Sequence, residues 1–248
     1  MKETLKLMGV LAHPDDETLG FGGVLAKYAA QGVETSIITA TLGERGWFGD
    51  PDDYPGPDEL GRLREKELDA AAQVLGIREV YLLGYCDGEL DQAQASEVIG
   101  KICRQIRKVR PQVVVTFDPF GVYGHPDHIA ISQFTAAAIV AAADPGYPEF
   151  QEMRAHRVSK LYYLAETEQS LAAYQAIFGD LVMEIDGEER RTTGWEPWAI
   201  TTLIDTQDYA QQVWQAVACH RSQMPGYQTL LELPEAQRRE TSRRRRKS

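Results

Sequence analysis

The sequence predicts an α/β fold, a Rossmann-like, mostly parallel sheet with helices on both faces. Three observations predict it. Short apolar runs rich in β-branched residues alternate with longer stretches of helical periodicity. Gly or Pro punctuates many of the junctions. Two polar, histidine-bearing loops each sit between an apolar run and a helical stretch, where open α/β sheets hold ligands.

Leu5–Leu11 is short and apolar and reads as a buried strand. Thr18–Ala30 carries Leu19, Val24, Leu25 and Tyr28 at roughly helical spacing, with Gly32 as its stop. Thr35–Ala40 is a second strand, followed by a long polar loop from Thr41 to about Asp58. Glu59–Leu75 reads as a helix, with Leu60, Leu63, Leu68, Ala71 and Val74 apolar and Gly76 closing it. Glu79–Leu83 is the third strand and Gly84–Asp91 a polar loop. Ser96–Val109 is a helix ended by Pro111, Val113–Phe117 a fourth strand and Pro126–Ala142 the next helix. Beyond a Pro- and Gly-containing loop at Asp144–Glu152, strands are expected at Val158–Leu164, Leu181–Ile185 and Ala199–Ile204. Tyr209–Arg221 is amphipathic and is expected to close the fold as a helix. The second half is expected to extend the sheet and wall the pocket.

Crossovers between parallel strands are nearly always right-handed. With the common strand order 3-2-1-4, strands one and four are neighbours whose connections leave to opposite faces. The crevice between their carboxyl ends is then the topological switch point, and both histidine loops meet there.

Composition sets the bounds. The 248 residues are expected to form a single domain over residues 1–237, followed by a basic, solvated tail over 238–248. That tail holds seven basic residues against one acidic, so the net charge of −11 becomes −17 over Met1–Gln237. So acidic a body argues against nucleic acid as a partner. No stretch approaches the roughly 18 apolar residues that would span a bilayer, and no signal peptide is read. Cys86, Cys103 and Cys219 are odd in number and scattered, which fits a reducing cytoplasm rather than a disulfide framework or a thiolate zinc site.

The chemistry is expected in Ala12-His13-Pro14-Asp15-Asp16-Glu17 and Tyr123-Gly124-His125-Pro126-Asp127-His128. Taken alone, Asp15 or Asp16 could simply cap a helix. Two His-Pro-Asp loops at strand ends are harder to assign to chance. Imidazole and carboxylate ligands without thiolate suit zinc first, with iron, manganese or cobalt as alternatives. A catalytic zinc site needs three protein ligands and an open position, and His13, Asp16 and His128 supply three. Asp15 is better placed beside the metal-activated water, as general base. His125 is left free to donate a hydrogen bond or proton, with Asp127 to orient it. Zinc, His125 and Tyr123 are the candidate stabilisers of a tetrahedral oxyanion.

At these residues the chain resembles the LmbE-like, or PIG-L-type, zinc-dependent N-deacetylases, relatives of the N-acetylglucosaminyl-phosphatidylinositol de-N-acetylases. Both marker loops are present without substitution, and the resemblance runs from Leu5 to about Gln223, including a late His220-Arg221-Ser222-Gln223 stretch. It implies hydrolysis of an N-acyl, usually N-acetyl, group on a small amino sugar or its conjugate. It also implies metal ligation by His13, Asp16 and His128, with Asp15 as base and His125, supported by Asp127, as electrophilic partner. Tyr123 is implied as an oxyanion contact. Glu44, Arg64 and Asp87 are implied as substrate contacts, against the reading that they are ordinary loop or helix-face residues. Related proteins are often trimers or hexamers, so a homo-oligomer is a further expectation.

Trp47 and Phe48 are expected to pack on the rim, although a sugar face could also stack there. Asp118 is expected to cap a turn, His156 to be a surface residue, and His220 to be either buried and hydrogen-bonded or in the pocket. An amidase for thiol conjugates of the mycothiol type and a non-catalytic metal- or sugar-binding module are the alternatives. A dinucleotide site is hinted at by Gly20-Phe21-Gly22-Gly23, but residue 25 is Leu and carboxylates crowd the helix N-terminus where a pyrophosphate would sit.

Overall fold

The computed structural model describes residues 4–147, 153–168, 171–172, 175, 182–185, 187–192 and 194–227. Strand β1 (Lys6–Leu11) is followed by a single helical turn, α1 (Asp16–Leu19), and by α2 (Gly22–Ala30). Then come β2 (Glu34–Thr41), α3 (Pro57–Leu75), β3 (Glu79–Tyr85), α4 (Ala95–Val109) and β4 (Val113–Phe117). A short turn, α5 (Gly121–Gly124), leads into α6 (Pro126–Ala143) and β5 (Lys160–Leu164). The strands pair in the order β3-β2-β1-β4-β5, and every pairing is parallel.

That order realises the expected switch point. The chain steps outward from β1 to β3, then returns to lay β4 on the other side of β1, with Leu7 opposite both Thr35 and Val113. Met8, Leu11, Ile37, Ile38 and Val114 on these strands are fully buried, so the platform beneath the two loops is a packed core. Helix α4 packs on α6, while α2 and α3 pack with a later helix, α7 (Ala210–Val217). Among the described residues no helix is long and apolar enough to cross a membrane.

Five expectations need correction. The helix drawn over Thr18–Ala30 is two pieces, broken at Gly20–Phe21. The glycines there serve packing: a Cβ on Gly23 would lie 2.5 Å from Thr206 Oγ1, so that position admits the later segment only as glycine. Ala199–Ile204 forms no strand; it lines a cavity of about 820 Å³ beside β5 and α2, and Lys27 Nζ donates to Asp205 O at 2.7 Å at its end. Val182–Ile185 is a strand, β6, but it pairs antiparallel with β7 (Glu188–Arg191) outside the main sheet. His156 is buried, with Nε2 2.7 Å from Pro111 O. The closing helix is shorter than Tyr209–Arg221, and a 3-10 segment at Arg221–Tyr227 follows it. Residues 148–152, Leu181 and the basic tail lie outside the described residues.

Candidate metal centre and active site

The loop after β1 turns within a few residues because Asp15 adopts a left-handed conformation (φ 98°, ψ −25°). Its carbonyl accepts from Thr18 N (2.9 Å), Leu19 N (3.0 Å) and Thr18 Oγ1 (2.8 Å), which starts α1 immediately. The Asp16 carboxylate folds back, so that Oδ2 accepts from Ala12 N (3.1 Å) and His13 N (2.7 Å). Its Oδ1 lies 3.4 Å from His128 Nε2.

The loop after β4 is equally constrained. Val122 has φ 65° and ψ −68°, a strained state for a β-branched residue, and its amide donates to Asp118 Oδ1 at 2.8 Å. Asp118 Oδ2 accepts from Trp195 Nε1 at 2.6 Å, so the expected capping role is met and extended. His125 caps α6: its Nδ1 accepts from Asp127 N at 3.2 Å, with Pro126 at the first helical position. A neutral His125 therefore carries its proton on Nε2. The His128 ring stacks on Phe117, with centroids 3.9 Å apart and planes 2° from parallel.

The predicted ligands converge. His13 Nδ1 is 3.2 Å from His128 Nε2 and 3.7 Å from the nearer Asp16 oxygen. Ligand atoms around one four-coordinate zinc, each about 2.0–2.1 Å from the ion, stand roughly 3.3 Å apart. The His13–His128 spacing is that of two ligands on one small ion, with the Asp16 carboxylate beside both, and a donor set of imidazoles and carboxylate suits zinc or a similar divalent metal. His125 also approaches, its ring 4.7 Å from His13 and 5.0 Å from His128, which closes a cluster of three histidines.

The partner of Asp127 differs from the expectation. Its carboxylate does not orient the His125 ring; Oδ2 accepts from His13 Nε2 at 3.1 Å, and that atom also lies 3.1 Å from Asp87 Oδ1. Asp127 is itself fixed by Gly88 N (2.8 Å) and Leu90 N (3.0 Å). Asp87, expected at the substrate, thus stands behind His13 and accepts from Arg45 N at 3.1 Å. Together they hold a proton on His13 Nε2 and orient the ring so that Nδ1 faces His128. The electrostatics agree. Burial opposes a charge on His13, but the hydrogen bonds to Asp127 and Asp87 and the charge of Asp16 outweigh it and push its pKa up to about 10. Burial also opposes the Asp87 charge, yet His13 holds it down to about 2. So dense a carboxylate ring around one imidazole favours positive charge at this point.

Burial, then the neighbouring His13 and His128, lower the pKa of His125 to about 4. Burial and the carboxylates of Asp16, Asp15, Asp87 and Asp127 raise that of Tyr123, keeping the phenol protonated. Arg64, expected at the substrate, is buried: its guanidinium donates to Gly43 O (2.7 Å), Pro14 O (2.6 Å) and Asp15 Oδ2 (3.1 Å). Glu44 Oε1 accepts from Asp87 N at 2.9 Å, while buried Oε2 has no partner among the described residues. Trp47 packs in its own loop, donating to Asp50 O, and half-exposed Phe48 lies against Gly226.

Sequence reasoning missed Glu17, Glu67 and the role of the late stretch. His220 Nε2 is 2.7 Å from Glu17 Oε1, Ser222 donates twice to Glu67, and Gln223 Nε2 donates to Gly46 O. The available signal was the run of polar, hydrogen-bonding residues at 220–223 after an amphipathic helix.

Fold and site together define a class, an α/β enzyme with a cluster of His and Asp side chains that could hold a metal ion at the switch point of a parallel sheet. More particularly, the chain belongs to the PIG-L, or GlcNAc-PI de-N-acetylase, family, whose profile matches residues 8–139. It is 36% identical to the 1D-myo-inositol 2-acetamido-2-deoxy-alpha-D-glucopyranoside deacetylase of Rhodococcus jostii (strain RHA1), over 88% of this chain and 82% of that one. It is 35% identical to the mycothiol S-conjugate amidase of Streptomyces coelicolor, over 66% of this chain and 61% of that one. Among solved structures, a conserved protein of Thermus thermophilus superposes with a TM-score of 0.66 at 29% identity, covering 92% of this chain and 84% of that one.

Proposed function

We propose that the protein is a zinc-dependent hydrolase that removes an N-acetyl group from an amino sugar or its conjugate. One observation carries the reading: His13 Nδ1, His128 Nε2 and the Asp16 carboxylate converge, with the His125 ring beside them and Asp15 next to Asp16 in the chain. His13, Asp16 and His128 hold the metal. A zinc ion there supplies a water acidic enough to lose its proton near neutrality and a Lewis acid for the amide carbonyl.

The chain's own groups do the rest. Asp15, clamped by Arg64, accepts the proton of the attacking water. His125 offers Nε2–H to the developing oxyanion, and each preorganised donor of this kind is worth about 3–4 kcal/mol. Tyr123, kept as the phenol, offers a second donor. Asp127 and Asp87 hold the tautomer of His13. Glu44, with one buried oxygen that has no partner among the described residues, is the residue proposed to reach the sugar hydroxyls. An odd number of scattered cysteines without paired spacing supports a cytoplasmic site of action.

The Streptomyces coelicolor relative favours a second reading, cleavage of a thiol conjugate at its amide. The Rhodococcus jostii deacetylase aligns over more of the chain, so deacetylation is preferred. The test is a screen of N-acetylglucosamine, its inositol and malate glycosides, chitobiose and a mycothiol conjugate, read by released amine with and without a chelator. Chelator-sensitive release of amine from an N-acetyl sugar supports the proposal. Release from the conjugate alone selects the amidase, and no release from zinc-loaded protein refutes both.

A further inference from the structure

We infer that Glu17 and His220 form a buried positioning pair that, with Arg64, pins both ends of the Pro14–Asp15 peptide and so aims the Asp15 carboxylate. The role of Asp15 rests on the hydrolase reading; the geometry does not.

A left-handed φ of 98° is a state that a residue with a side chain rarely adopts, and it persists only where the surroundings over-determine it. The carbonyl of Asp15 meets partners that the start of any helix provides. The peptide before it is held differently. Its oxygen, Pro14 O, accepts from Arg64 Nη2 at 2.6 Å, and its N–H, that of Asp15, donates to Glu17 Oε2 at 2.9 Å. Rotation of that peptide plane would break both bonds. Arg64 Nη2 also reaches Asp15 Oδ2 at 3.1 Å, so plane and carboxylate share one support.

Glu17 can hold an amide only if it is itself fixed. It is fully buried, and its other oxygen lies 2.7 Å from Nε2 of His220, which is also fully buried. His220 belongs to a segment fastened at two more points. Ser222 donates to Glu67, on the same helix as Arg64, and Gln223 donates to Gly46 O in the loop beside the pocket. The strained peptide is thus gripped between α3 and the segment after α7. Neither Glu17 nor His220 has an assigned part in ligation or proton transfer, and a buried carboxylate–imidazole pair is too demanding in geometry to serve as filler.

The experiment substitutes each partner in the full chain, in the wild-type and Asp15→Asn backgrounds. Glu17→Met removes the acceptor at similar volume, whereas Glu17→Gln keeps one. His220→Leu removes the donor, whereas His220→Gln keeps one. Bound zinc, kcat and KM are measured for each. Glu17→Met is expected to lower kcat by about 10²-fold, the scale of a one-ångström misplacement, with zinc content kept and KM within about twofold. His220→Leu should lower it by a smaller factor, and both Gln variants should recover most of the rate. In the Asp15→Asn background, Glu17→Met should cost less than about threefold further, because a residue acting through Asp15 has nothing left to position. A full additive loss there, or a rate loss matched by zinc loss, overturns the inference.

A crystal structure of Glu17→Met, or of His220→Leu if the first variant does not fold, gives a readout without turnover. Residue 15 should leave its left-handed state or its carboxylate should leave Arg64; retention of both overturns the inference. If the wild-type protein deacylates nothing in the screen, the hydrolase reading fails by itself, and the crystal structure still decides this point.

Discussion

Asp127→Asn tests the placement of Asp127 behind His13. The carboxylate is fully buried and accepts three hydrogen bonds, from Leu90 N, Gly88 N and His13 Nε2. Asparagine keeps the shape but exchanges one oxygen for a donor. Turned one way, the new amino group meets the Leu90 N–H; turned the other, it meets two donors. The first arrangement is the milder and leaves a buried donor pair unsatisfied, at about 1–3 kcal/mol. His13 keeps an acceptor, but a neutral one, which makes its Nδ1 a poorer metal ligand. Substitutions behind a ligating histidine typically cost 10–100-fold in metal affinity, or about 1.4–2.7 kcal/mol. The assay is zinc competition against a chromophoric chelator, with urea unfolding to report the stability loss. Zinc affinity within about twofold of wild type, with a large fall in kcat, would refute the argument, since the carboxylate would then be serving His125 or the substrate.

Three further outcomes are expected. His13→Ala should abolish stoichiometric zinc binding, and zinc content unchanged by metal analysis would remove His13 from the ligand set. Asp15→Ala should keep zinc while kcat falls by roughly 10²–10⁴-fold, the usual contribution of a general base; a fall below about fivefold would exclude that role. The third concerns pH. Burial opposes the charge on His220, but Glu17 outweighs it and raises the pKa above 6.5. A raised histidine stabilises the fold fully below about 6.5, and the contribution disappears as pH rises through the folded value. His220→Gln removes this titration, so its stability deficit in urea should shrink as pH rises. A deficit constant with pH would contradict the pairing.

Much of the platform was legible because backbone periodicity is local. β1, β2 and β4 fall within a residue of their expected bounds, and the two loops sit where order 3-2-1-4 requires. That His13, Asp16 and His128 come together was legible because one spacing, His13 to Asp16, is set by a single turn. The shell behind it was not. His13 and Asp127 are 114 residues apart, and nothing in the spacing of Asp127 distinguishes a partnership with adjacent His125 from one across the crevice. Ala199–Ile204 failed because β-branched composition is only a weak strand signal: Thr201, Thr202 and Leu203 are exposed and the run pairs with no strand among the described residues. His156 looked like a surface residue because a lone histidine carries no pattern, yet the carbonyl of Pro111 gives it a buried partner.

The two histidine loops rise from adjacent strands that are buried almost throughout, whereas residues 43–54 and the β6–β7 hairpin are separate pieces beside them. Arg190 Nη1 donating to Gly124 O at 2.7 Å is a bond from that hairpin to the histidine loop. Such a layout separates reactivity from selectivity. A change in the hairpin can therefore reshape the approach to the histidine loop while the side chains in the loops after β1 and β4 and their carboxylate backing stay in register.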